Sequence, residues 1–129
     1  GTDAVWDRTS DVRMKHDIQP SELGLAFVEQ LNPIVFRRKP VSQWPSEWGF
    51  GKEVDGRPSG EGNTETPILG VVAQNVKRAL DAVGNPVFNG WKVDIHGRQS
   101  ISDAYFVYPL INAVKELSAE VETLKARLH

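Results

Sequence analysis

The sequence predicts a small α+β domain of short strands and helices, interrupted by one long Gly/Pro-rich loop and closed by a long heptad helix. Three observations carry this prediction. Short apolar runs at 34–36, 68–72, 87–88 and 91–95 have strand length. A helical period runs through 73–84, and an unbroken 3,4 apolar spacing fills 107–128. The 129 residues suffice for one core and are too few for two. With 25% charged and 40% hydrophobic residues, the chain has the composition of a globular protein rather than a disordered one.

The first twenty residues, ending at Pro20, have weak periodicity and are expected to be an extended or turning lead-in. Ser21 is placed to cap a helix over 21–31 with Leu23, Phe27, Val28 and Leu31 on one face, ended by Asn32-Pro33. Ile34-Val35-Phe36 follows as a strand, then the basic run Arg37-Arg38-Lys39. Residues 40–67 hold five Gly and four Pro and form a loop beyond the usual ~12–15-residue limit.

Order resumes at Ile68-Leu69-Gly70-Val71-Val72, an apolar run suited to a buried strand. The next helix, 73–84, turns Val76, Leu80 and Val83 inward and stops at Gly84. Asn89-Gly90 between Val87-Phe88 and Trp91–Ile95 predicts a hairpin, since both turn residues tolerate positive φ. On the second of those strands Asp94 and His96 would share a polar face.

Val107, Leu110, Val114, Leu117, Val121, Leu124 and Leu128 follow spacings of 3, 4, 3, 4, 3 and 4. This is a heptad seam with Val at three a positions, Leu128 at the fourth and Leu at every d. Pro109 fits only a first turn, so the helix begins near Tyr108 and runs for roughly 30 Å. The stripe is narrower than the apolar face of a helix lying on its own domain, so it favours self-association. Val at a with Leu at d leans towards two strands and leaves the number of chains open. Glu120 and Lys125 take g and e positions, where parallel helices pair.

Several chemistries are excluded. The 15 basic against 17 acidic residues, net −2, lack the basic excess of a duplex binder, so no nucleic-acid partner is expected. No apolar run approaches the ~20 residues of a membrane helix and no signal pattern opens the sequence, so no membrane partner is expected either. Cys is absent, and His16, His96 and His129 are scattered, so neither a metal nor another cofactor is expected. Gly49-Phe50-Gly51-Lys52-Glu53 has Glu where a phosphate loop needs Ser or Thr. Trp44, Trp48 and Phe50 beside Arg37, Arg38 and Lys39 offer a sugar or partner platform, or aromatics folded over the core.

One constellation remains: Ser10-Asp11-Val12-Arg13-Met14-Lys15. Ser at i and Lys at i+5 lie about 140° apart on a helix and on opposite faces of a strand. A working Ser–Lys pair therefore needs a turn between them, or a Lys from a neighbouring chain. That Lys must also be desolvated, because an exposed ammonium of pKa ~10.4 is no base at neutral pH.

SDVRMK followed by Ile18 resembles the S-D-x-R-x-K-x-x-I opening of the C-terminal intramolecular chaperone domains of phage tail spikes and fibres, of which the endosialidase tail spike is the type case. The resemblance continues through Leu31-Asn32-Pro33-Ile34-Val35-Phe36-Arg37 and is strongest at Gly70-Val71-Val72-Ala73-Gln74-Asn75-Val76. Val93-Asp94 and the stretch from Tyr108 to Leu117 are similar to the family's later blocks, so about residues 10–128 are covered in order.

This resemblance implies a homotrimer that brings three chains into register while a β-structured stalk upstream in the same polypeptide folds. It then implies release by self-cleavage with Ser10 and Lys15 as the catalytic pair, next to Ser10 and favouring Ser10–Asp11. Backbone amides around Asp11 to Arg13 would hold the oxyanion. Residues 1–9 would end the stalk or linker, 10–106 form the globular chaperone with 40–67 as its variable loop, and 107–129 the coiled-coil-like helix. The domain would act in the host cytoplasm during virion assembly and be absent from the mature tail. The alternative is a permanent trimerisation and receptor-binding tip with Ser10 and Lys15 inert.

Overall fold

A computed structural model describes residues 7–49, 53–54, 57–58 and 62–128. Phe50 of the aromatic platform and the centre of the phosphate-loop look-alike, residues 50–52, lie outside the described residues, as do residues 1–6 of the lead-in. Among the described residues the architecture is mixed α+β: three two-stranded antiparallel ladders, two short helices and one long C-terminal helix.

The core forms where α2, Ala73–Ala82, meets the segment around α1, Leu25–Val28. Leu23, Phe27, Val76, Ala79 and Leu80 are its buried centre. Spacings of three, four and one residues put Val76, Ala79 and Leu80 on one side of α2, as the helical period predicts. Gly84 ends the helix at φ +90°, and the Asn85 N–H returns to the Leu80 carbonyl at 2.7 Å. Phe27 is fully buried, with the rings of Phe88 and Phe106 at 5.4 and 6.5 Å.

The helix expected over 21–31 contracts to the four residues of α1. Ser21 does not cap it; its Oγ accepts the Leu23 N–H two residues on, closing a local turn. Gly24, at φ −158° and ψ −137°, is the residue before the helix. The first helical N–H, that of Leu25, donates to Glu116 of the C-terminal helix. Leu23 and Phe27 are nevertheless buried, and Val28 and Leu31 pack on the core.

Strand β1, Ile34–Phe36, pairs with β4, Ile68–Gly70, and sets Val35 opposite Leu69. The run at 68–72 is not a buried strand: Leu69 is 75% exposed and Val35 68%. A two-stranded ladder covered on one side leaves alternate residues outside. Between these strands lie 3-10 turns at Val41–Gln43 and Ser46–Trp48 and the two-residue strands β2, Glu53–Val54, and β3, Arg57–Pro58.

The predicted hairpin is displaced. Trp91–Val93 is a strand, β5, but it pairs with β6, Gln99–Ile101, rather than with Val87-Phe88. The Phe88 ring packs edge-on against Phe27 and Phe106 instead of joining a ladder. It also lies so close over Gly90 that a Cβ there would fall 2.3 Å from it. The turn is instead built by Asp94, whose Oδ1 accepts the His96 and Arg98 N–H groups at 2.8 and 3.0 Å, with Gly97 at φ +79°. Asp94 and His96 are therefore turn residues, not two positions on one strand face.

The C-terminal helix α3, Val107–Arg127, follows a 3-10 turn at Asp103–Phe106, and Pro109 occupies its first turn. Its buried residues are Pro109 and Ala113, on the side that packs against α1. All seven seam residues are exposed, from 46% for Leu117 to 82% for Leu128. The helix therefore docks on its own domain through Pro109 and Ala113 and leaves the Val/Leu stripe uncovered. Among the described residues, no helix is long and apolar enough to cross a membrane.

Candidate active site

The site is built on a turn that Asp11 organises. Its Oδ1 accepts the Arg13 N–H at 2.9 Å, capping the 3-10 turn Val12–Met14. The same carboxylate binds the Arg13 guanidinium, with Oδ1 to Nε at 3.0 Å and Oδ2 to Nη2 at 2.7 Å. The Met14 and Lys15 N–H groups return to the carbonyls of Asp11 and Val12. Arg13 thereby holds the Asp11 carboxyl below its ordinary pKa, first through the side-chain bond and then through the backbone N–H.

This turn brings together the two residues singled out from the sequence. Lys15 Nζ donates to Ser10 Oγ at 2.7 Å. Both side chains are exposed. Nζ donates and the hydroxyl oxygen accepts, at a distance within the reach of a nucleophile and its base. Of the amides considered for an oxyanion, that of Arg13 is already taken by Asp11 Oδ1.

Ser10 borders a cavity of about 800 Å³ shared with Arg8, Asp103, Tyr105, Val107 and Tyr108. Arg8 donates to both tyrosine hydroxyls, at 3.1 Å to Tyr105 and 3.2 Å to Tyr108. Sequence reasoning missed these partners because 97 and 100 positions separate them from Arg8 and no periodicity links them. Val107, the first seam residue, also lines this cavity. Ser10 thus borders the same cavity as the start of the uncovered stripe.

The aromatic platform is partly assembled elsewhere. Trp44 and Trp48 meet edge to face at 6.3 Å, and Trp44 Nε1 donates to the Lys39 carbonyl. With Arg37, Arg38, Lys39 and Arg98 they line a cleft of about 550 Å³. Among the described residues, no three His, Asp or Glu side chains form a group that could hold a metal ion.

Comparison with protein families matches residues 10–85 to a peptidase family described as chaperone of endosialidase. The match begins at Ser10, contains Lys15 and runs through the end of α2, more than half of the chain. The seam helix lies beyond it. Among curated proteins, nothing matches the chain.

Proposed function

The chain belongs to the chaperone-of-endosialidase family, and from that premise we propose that it trimerises and registers the chains of a phage tail spike or fibre, then releases itself by a cut next to Ser10. The observation that carries this reading is the 2.7 Å contact of Lys15 Nζ with Ser10 Oγ inside the matched stretch. The exposed seam on α3 supports the assembly half. The domain division proposed with it is 1–9 as stalk end, 10–106 as chaperone and 107–129 as seam helix. Its partners are two further copies and the upstream β-structured stalk, in the host cytoplasm during virion assembly.

Registering three chains at one end lowers the loop-closure entropy of nucleating a long intertwined stalk. A later cut separates the stalk from the device that registered it, so the stalk's persistence becomes kinetic. The chemistry follows from the pair. An exposed lysine remains an ammonium at neutral pH, and burial is what drives off its proton. A neighbouring chain packed on the seam would approach Ser10 from the Val107 side of the cavity they share, and that approach would withdraw water from the Ser10–Lys15 pair.

Neutral Lys15 then takes the Ser10 Oγ proton as Oγ attacks a carbonyl carbon. The tetrahedral adduct breaks its C–N bond, Lys15 returns the proton to the leaving amine, and water hydrolyses the ester. Attack on the Thr9 carbonyl closes a five-membered ring within one chain. Attack on Ser10's own carbonyl would close a four-membered ring, so the favoured Ser10–Asp11 cut calls for the Oγ of a neighbouring chain. The first residue of the released domain distinguishes the two.

The assembly half is tested with Leu117→Asp in a chain carrying its upstream segment. Native mass should fall from three chains to one, and the stalk should lose its folded trimer. A variant that stays trimeric with a folded stalk would remove the seam from the account.

A further inference from the structure

The arrangement just ahead of Ser10 has no role in the chemistry above. The Arg8 guanidinium donates through Nη1 to Tyr105 Oη at 3.1 Å and through Nη2 to Tyr108 Oη at 3.2 Å. Its carbon lies 5.4 Å from the Tyr105 ring centre. The two rings, 6.4 Å apart at the entry to α3, present two hydroxyls to the two amino groups of one planar fork. All these groups face solvent, so the arrangement adds little to global stability. It does specify where the chain entering Ser10 lies, because a two-point contact fixes orientation as well as distance.

Arg8 stands two positions before Ser10. Whichever bond beside Ser10 is cut, Arg8 leaves with the upstream product while Tyr105 and Tyr108 stay with the domain. We infer that Arg8 is a positioning residue, which holds the upstream segment so that Ser10 meets Lys15 before the cut and tethers the two products non-covalently after it. This inference rests on the self-cleavage reading. In it the contact changes status without changing geometry, from a bond within one chain to a bond between products. Release is then a second step, separable from the cut.

The test uses the chain with its upstream segment and has two arms. In the first, the Ser10→Ala protein is treated with trypsin, and the Arg8–Thr9 cut is scored by mass against the cut after Arg13, which the tyrosines do not touch. Adding Tyr105→Phe and Tyr108→Phe should speed the Arg8–Thr9 cut roughly three- to tenfold, as expected for losing two exposed hydrogen bonds. Equal rates overturn the clamp, whether or not the protein cleaves itself.

In the second arm, wild type, Arg8→Ala, Arg8→Lys and the double Phe variant are followed by intact mass and by native mass. Arg8→Ala and the double variant should cut several-fold more slowly while remaining trimeric. Less of the cut domain should stay with the stalk. Arg8→Lys, keeping the charge and one donor contact, should recover part of both. A wild type that cuts while Arg8→Ala matches it in rate and retention overturns only the role of Arg8. A wild type that never cuts overturns self-cleavage, and this role with it, even where the trypsin arm shows the clamp in place.

Discussion

Lys15 Nζ sits 2.7 Å from Ser10 Oγ because the chain turns between them, not because their spacing puts them on one face of a regular element. Five positions separate the two, a spacing that neither a helix nor a strand would bring together. The 3-10 turn capped by Asp11 makes the contact, so the signature's Asp and Arg have a physical task distinct from chemistry. They hold the turn.

On the proposed function, Asp11→Ala should therefore slow self-cleavage by about tenfold or more with native mass unchanged, since both the cap and the Arg13 partner are lost. Asp11→Asn keeps an oxygen for the Arg13 N–H and should fall between. Intact mass against time, with native mass as the assembly control, measures both. A cleavage rate unchanged in Asp11→Ala would separate the turn from the activity.

The same carboxylate sets a pH dependence. Arg13 lowers the folded-state pKa of Asp11 below its unfolded value. The stabilisation of the turn is therefore fully present above the ordinary aspartate range and is lost as pH falls through the depressed folded pKa. Carbon-detected NMR of Asp11 should show a midpoint below that of an unpaired aspartate, and Arg13→Ala should move it back up. A midpoint unaffected by Arg13→Ala would contradict the assignment.

Asn75 is the one buried polar side chain among the described residues of the core, and it joins α2 to the chain leaving α1. Its Oδ1 accepts the Asn32 N–H and its Nδ2 donates to the Gln30 carbonyl, both at 2.9 Å. Asn75→Ala should cost about 1–3 kcal/mol in denaturant unfolding at fixed protein concentration, with the m-value unchanged. A loss well under that range would mean that water satisfies both backbone groups.

Glu116 links the seam helix to the core from its other side. Its carboxylate accepts the Leu25 N–H at the start of α1, and a Cβ on Gly24 would lie 2.6 Å from Oε2. Glu116→Ala should cost about 0.5–1 kcal/mol, as for loss of a helix cap. Gly24→Ala should displace the carboxylate and lose a similar amount. In the double variant the two losses should not add, and a double-mutant cycle measures that coupling. Full additivity would show that Gly24 matters for its backbone rather than for the room it leaves.

What the sequence made legible is what local period encodes. The inward residues of α2, its stop at Gly84 and the seven-residue seam of α3 all follow from spacing. The narrow stripe favoured self-association over docking, whereas α3 does dock on α1, through Pro109 and Ala113, and leaves the stripe exposed. What failed was decided by partners distant in sequence. Ser21 lost the cap because the first amide of α1 is met by Glu116, 91 positions away. The Asn89-Gly90 hairpin lost its first strand because Phe88 packs on Phe27 and Phe106. The strand at 68–72 was expected to be buried because apolar content does not say how many of a ladder's sides are covered. The Ser–Lys pair is legible through motif resemblance, its spacing leaves open a turn or a neighbouring chain's Lys, and the contact of Arg8 with Tyr105 and Tyr108 lies beyond either.

The most direct test of the central claim is the intact mass of the chain with its native upstream segment, for wild type, Ser10→Ala and Lys15→Ala, with native mass taken on the same samples. Wild type should yield two fragments whose masses meet at Ser10, while both variants remain whole and trimeric. Three intact trimers would contradict it, leaving a fixed trimerisation tip in which the Ser10–Lys15 contact has no chemistry.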